Sequence, residues 1–129
     1  MPIIGCPDYL PLMGPRAQAS GLTVAPPQFP ASFIDYLKTH DPSSAEVSSH
    51  NPSQNPFIGR YILVLSGADD QAVPWAASKK FVDALQVGNG MKKVVVEENV
   101  GHECTPHMVQ ELASFVWEYG VNRSFRSSF

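Results

Sequence analysis

Only two cysteines, Cys6 and Cys104, occur in the 129 residues. They lie far apart, in neither a Cys-x-x-Cys nor a metal-type spacing, so they read as free thiols in a reducing compartment and exclude a disulfide framework. No run approaches the roughly 18 apolar residues that a membrane helix requires. The N-terminus has no basic flank before an apolar stretch of signal length. A cytoplasmic protein without a membrane partner is expected. An excess of positive charge is missing too: Lys and Arg number 9 against 12 Asp and Glu, for a net charge of −3. Such a chain has no basic field for phosphates, which argues against nucleic acid as a partner. Its four histidines show no His-x-x-x-His or similar ligand spacing. Neither a metal nor any other cofactor is expected.

Proline is plentiful but uneven. Of the 12, all but Pro74 and Pro106 fall within the first 60 residues. Each removes a backbone donor and fixes φ, so this part cannot hold a long regular sheet. Residues 1–56 are expected to be an irregular segment with one short strand at its start, "PIIG" at 2–5. "YLPLMGPRAQ" reads as a broken helical turn, and "PASFIDYLKTH" as a short helix with Phe33, Ile34 and Leu37 on one side. The Ser-, Pro- and Asn-rich stretch from Thr39 to Phe57 has no periodicity and reads as a surface loop.

Residues 57–129 are more regular. "YILVL", Tyr61 to Leu65, is an apolar run without alternation, the pattern of a parallel strand covered on both faces. Pro74 suits the first turn of a helix in which Ala77, Phe81, Ala84 and Leu85 recur at helical spacing through residue 87, before "GNG" at 88–90 stops it. "KKVVVEE", 92–98, supplies a second strand. Thr105 can cap a last helix with Pro106 at its first position and an apolar stripe of Met108, Leu112, Phe115, Val116 and Tyr119. Strand, helix, strand, helix predicts an α/β fold with a parallel sheet and crossover helices.

In open α/β sheets, functional side chains gather beyond the carboxyl ends of the strands. Asp70, in "SGADDQAVP", and His102, in "VGHECTP", both fall there, separated by the length of one turn, one crossover helix and one strand. A carboxylate bonded to one imidazole nitrogen fixes the tautomer and leaves the other nitrogen free as a general base. Asp70 is the candidate orienting acid and His102 the candidate base. Asp69 and Asp8 are alternative acids, the former also readable as a turn partner. Glu103 reads as a loop cap, and His40, His50 and His107 as surface residues. Cys104 invites a Cys–His reading but, in the same loop as His102, is expected to be a small buried thiol; Cys6 has the same reading. Trp75, beside the acid loop, could line an acyl pocket, although core or rim packing suits both Trp75 and Trp117.

The G-x-x-D-x-x-V-P arrangement of Gly67, Asp70, Val73 and Pro74, with Gly101-His102 further on, resembles the acid and histidine loops that end an α/β-hydrolase domain. The string "ILVLSGADDQAVPWAASKKFVDAL" is most similar to serine hydrolases of the prolyl-oligopeptidase-like and dienelactone-hydrolase-like kinds. The resemblance covers residues 57–119. It implies a partial α/β-hydrolase fold, the C-terminal part only, with Asp70 and His102 as two members of a Ser-Asp-His triad cleaving an ester, lactone or peptide-like acyl bond. Family members carry the serine on an earlier G-x-S-x-G elbow. No serine here has glycine at both required positions; Ser20 and Ser66 have neither. The nucleophile and the oxyanion donors beside it are therefore expected on other polypeptide, such as a complementing N-terminal segment, and this chain alone is expected to be inactive or nearly so. Residues 7–56 could correspond to the family's cap. A non-catalytic pseudoenzyme or interaction module is the alternative, and a partial sheet with exposed edges is expected to favour self-association.

Overall fold

The computed structural model describes residues 7–122, so the expected strand at 2–5 and Cys6 lie outside the described residues. The elements are α1 (Tyr9–Ala19), α2 (Ala31–His40), a short 3₁₀ turn (Pro42–Ser44), β1 (Tyr61–Gly67), α3 (Trp75–Ala84), β2 (Met91–Glu97) and α4 (Pro106–Val116). A π-helical turn (Trp117–Val121) follows α4 directly. β1 and β2 pair in parallel, from Tyr61 opposite Met91 to Gly67 opposite Glu97. The described chain is thus a small mixed α/β structure around a two-stranded parallel sheet.

Side-chain alternation along β2 sends the two flanking helices to opposite faces. Lys92 donates to the Val82 and Leu85 carbonyl oxygens at the end of α3, at 2.7 and 2.8 Å. Its neighbour Lys93 points the other way and pairs with Glu111 of α4. On that second face Tyr61 stacks on Tyr119 with centroids 5.3 Å apart, and Tyr119 leans on Phe115 at 4.9 Å. Thr105 caps α4, accepting the Met108 N–H at 3.1 Å, with Pro106 at the first position where a missing donor costs nothing.

Several expectations need correction. "YLPLMGPRAQ" is part of a continuous helix of 11 residues rather than a broken turn. Pro11 falls in its first turn, where donors are unpaired anyway, and only Pro15 removes an interior bond. Buried Leu12 and Ala17, and the Arg16 guanidinium donating to the Ala72 carbonyl, hold α1 down. α3 ends at Ala84, not 87, because tertiary partners capture the groups that would extend it: the Gln86 N–H donates to Val47 O at 2.8 Å, and Lys92 takes the Leu85 carbonyl. The strands run over Tyr61–Gly67 and Met91–Glu97 rather than 61–65 and 92–98.

β1 is only partly covered on its two faces. Ile62 to Leu65 are all half-buried, and Val94 on β2 is 39% exposed. On α4, Met108 and Phe115 are buried, but Val116 and, at the start of the π-helical turn, Trp117 turn outward, 48% and 62% exposed. Phe33 on α2 is exposed as well. The loop after α2 is less open than its composition suggests, because fully buried Asn55 organises it. The Asn55 amide donates to the carbonyls of Val47, Ser49 and Gln86 at 2.8–2.9 Å, and its oxygen accepts the Phe57 N–H at 2.9 Å.

Candidate acid–base site

The turn that leaves β1 is shaped by Asp70. Its Oδ1 accepts the N–H groups of Ala72 and Val73, both at 2.8 Å, so the carboxylate closes an Asx-type turn just ahead of α3. The turn-forming role and the role of an orienting acid therefore coexist in one side chain, because Oδ2 is left for a different partner. That partner is His102, whose Nδ1 lies 2.9 Å away. The Asp70 residue is 6% exposed, whereas the His102 side chain is 43% exposed. The imidazole thus has one nitrogen on a buried carboxylate and its other edge toward solvent.

What brings the two loops together is Gly67. A Cβ there would fall 2.2 Å from the Val100 carbonyl oxygen and 2.5 Å from that of Gly101, so the histidine loop crosses directly over the end of β1. Gly67 does not have a positive φ; the requirement is room. The crossing is stitched by the Ala68 N–H on Glu97 O at 2.8 Å and the Asp69 N–H on Val100 O at 3.0 Å. Asn99, at φ 58°, makes the sharp bend that turns β2 back over the sheet.

Burial pushes the Asp70 carboxyl upward. The Val73 N–H, the His102 hydrogen bond, the Ala72 N–H and the imidazolium charge outweigh it, and the group is held below the usual carboxylate range. A native value below the unfolded one means that the stabilisation is complete above about pH 4, the unfolded value, and disappears as pH falls through the lower native one. Urea midpoints followed from neutrality to about pH 2 should therefore fall more steeply for the wild type than for Asp70→Asn. Identical slopes would show that the carboxylate is not so held.

The other candidates fall elsewhere. Asp69 is exposed and contributes its backbone N–H to the stitch. Asp8 precedes α1, where burial and then the Asp41 charge push its carboxyl above the ordinary value. Asp41 accepts the Tyr9 N–H at 3.0 Å, so these two acids belong to the α1–3₁₀ contact. Trp75 begins α3, half-buried, one turn after Asp70. Glu103 and His50 are exposed, and His40 stacks on Tyr36 at 4.1 Å. Cys104 is exposed rather than buried, since no element covers the loop tip that carries it. Ser66 sits half-buried in β1, its hydroxyl 3.4 Å from the Gly67 carbonyl.

His107 is not an isolated surface residue. Its Nδ1 lies 2.9 Å from Glu97 Oε1, and Glu97 also accepts from the Thr105 hydroxyl. Sequence reading missed both Glu97 and Arg16. The strand-end position of Glu97 was the only signal available for it. A cavity of about 380 Å³, lined by Tyr61, Gly90, Met91 and Tyr119 among others, lies at the amino ends of the strands and so away from the acid–base pair. Among the described residues no cluster of three or more His, Cys, Asp or Glu is arranged for a metal ion, and no helix is long and apolar enough to cross a membrane. Comparison with family profiles, curated proteins and solved structures returned no match.

Proposed function

We propose that the chain supplies the acid and base, Asp70 and His102, of an α/β-hydrolase-type serine hydrolase cleaving an ester, lactone or peptide-like acyl bond. In this reading the nucleophilic serine comes from polypeptide outside the 129 residues. The observation that carries it is the 2.9 Å contact of His102 Nδ1 with a carboxylate whose second oxygen is already filled by two backbone N–H groups. Asp70 cannot rotate without losing those bonds, so it holds Nδ1–H and directs the Nε2 lone pair outward. A serine hydroxyl brought to Nε2 gives up its proton as its oxygen attacks the acyl carbon. The imidazolium, stabilised by Asp70, returns the proton to the leaving group. Water repeats the cycle to release the acid.

The architecture supports this reading: the acid follows one parallel strand, the base its neighbour, and helices flank both faces. Half-buried Ile62–Leu65 and the outer sheet edges are where further strands would add. The Arg16–Ala72 bond ties α1 to the acid loop, which suits a cap-like role for the first segment and a rim role for Trp75. A cytoplasmic setting goes with this reading. A fluorophosphonate probe is expected to leave the purified 129-residue chain unlabelled. Labelling of one specific serine within it would overturn the placement of the nucleophile outside the chain.

A second reading, a non-catalytic interaction module derived from the same fold, is favoured by the outward apolar stripe of Val109, Val116 and Trp117 on the last helix and its extension. Such an exposed apolar stripe marks a contact surface, including one for a second copy.

A further inference from the structure

The histidine loop is fastened at both ends, and its tip has little to hold it. Glu103 and Cys104 are exposed, and a Cβ on Gly101 would meet nothing within 4 Å. At the entry, the Asp69 N–H holds the Val100 carbonyl. At the exit, the Thr105 hydroxyl donates to the Glu97 carboxylate, 2.9 and 2.8 Å from its two oxygens. Glu97 ends β2, with its side chain only 17% exposed, and the same Thr105 oxygen accepts the Met108 N–H. A largely buried carboxylate thus sits at the positive end of α4 and draws shut an eight-residue span. His107 Nδ1 takes Glu97 Oε1 from outside, while its Nε2 lies 3.6 Å from Glu111, which Lys93 holds.

We infer that Glu97 and Thr105 are positioning residues for His102. Their hydrogen bond fixes where the loop leaves the sheet, and that in turn sets the ring against Asp70. The catalytic meaning rests on the acid–base reading above, whereas the positioning is a property of this chain by itself. Freed at Thr105, the loop would keep its entry stitch but gain a hinge at Gly101, immediately before the ring.

Long-range ¹H–¹⁵N spectra of the full chain test this through the tautomer of neutral His102. The wild type is expected to show Nδ1 protonated and Nε2 bare. Thr105→Val and Glu97→Ala should lose that single-tautomer signature, while Thr105→Ser and Glu97→Gln, which keep a donor and an acceptor, should retain it. Loss of a helix cap alone would lower stability without changing the tautomer. Thr105→Val and Glu97→Ala chains that fold with the wild-type signature would overturn the inference. If neither folds, the wild-type Thr105 hydroxyl proton decides: a resolved, slowly exchanging resonance supports the clasp, and exchange as fast as that of a solvated threonine overturns it. Loss of the signature in Asp70→Asn alone removes the positioning role and leaves the acid–base pair standing. A wild-type His102 without the Nδ1–H signature removes both.

Discussion

Gly67→Ala should destabilise the chain by about 3 kcal/mol and dislodge the histidine loop, a cost at the upper end of overpacking because the added methyl meets backbone rather than a side chain that can move. The nearest atoms in its way are the Val100 and Gly101 carbonyl oxygens, at 2.2 and 2.5 Å, with the Val100 carbonyl carbon at 2.8 Å. To admit the methyl, the loop must lift. Lifting it breaks the Asp69–Val100 stitch and pulls His102 from Asp70. Urea denaturation gives the loss of stability, and the Asp70-dependent fall of stability in acid should shrink to the share held by the Val73 and Ala72 N–H groups. A Gly67→Ala chain within about 0.5 kcal/mol of wild type would mean that the loop does not cross β1 as described.

Asn55→Ala is expected to be comparably severe, about 3–5 kcal/mol, although the residue is remote from the acid–base pair. The side chain is fully buried and satisfies the Val47, Ser49 and Gln86 carbonyls and the Phe57 N–H. Alanine would leave these groups without that partner, at about 1–3 kcal/mol for each one that water cannot reach. Asn55→Asp should fare little better, because a carboxylate cannot donate to three carbonyls. Since whole domains hold only about 5–15 kcal/mol, thermal melts of Asn55→Ala should show a large drop in midpoint or no cooperative transition. A melt indistinguishable from wild type would refute the assignment of Asn55 as the organiser of the loop.

The residues differ in how openly they announced their places. β1 was visible because Tyr61–Leu65 is an uninterrupted apolar run, but its last two residues were not. Ser66 and Gly67 carry no strand propensity and are held by pairing with Val96 and Glu97. That Asp70 and His102 could meet was legible from spacing, since adjacent parallel strands end on one edge, while the preference for Asp70 over Asp69 and Asp8 came from the G-x-x-D-x-x-V-P resemblance. Asn55 was hidden for the opposite reason: in a Ser-, Pro- and Asn-rich stretch it looks solvated, and its burial depends partly on Gln86, 31 residues away. Pro15 concealed α1, whose stability comes from Leu12, Ala17 and Arg16 meeting other segments rather than from local propensity. Glu97 read as one more charge at the end of a lysine- and glutamate-flanked strand. Only the return of the loop to Thr105 gives it a role.

In the proposed reading, Asp70 and His102 serve a serine carried on other polypeptide. Its most direct test is fluorophosphonate labelling of the longest natural translation product that contains these residues in frame. One labelled serine is expected, upstream of residue 1 on a G-x-S-x-G turn, with labelling abolished by His102→Ala and strongly reduced by Asp70→Asn. A product with no labelled serine, or one labelled equally well after His102→Ala, would contradict it.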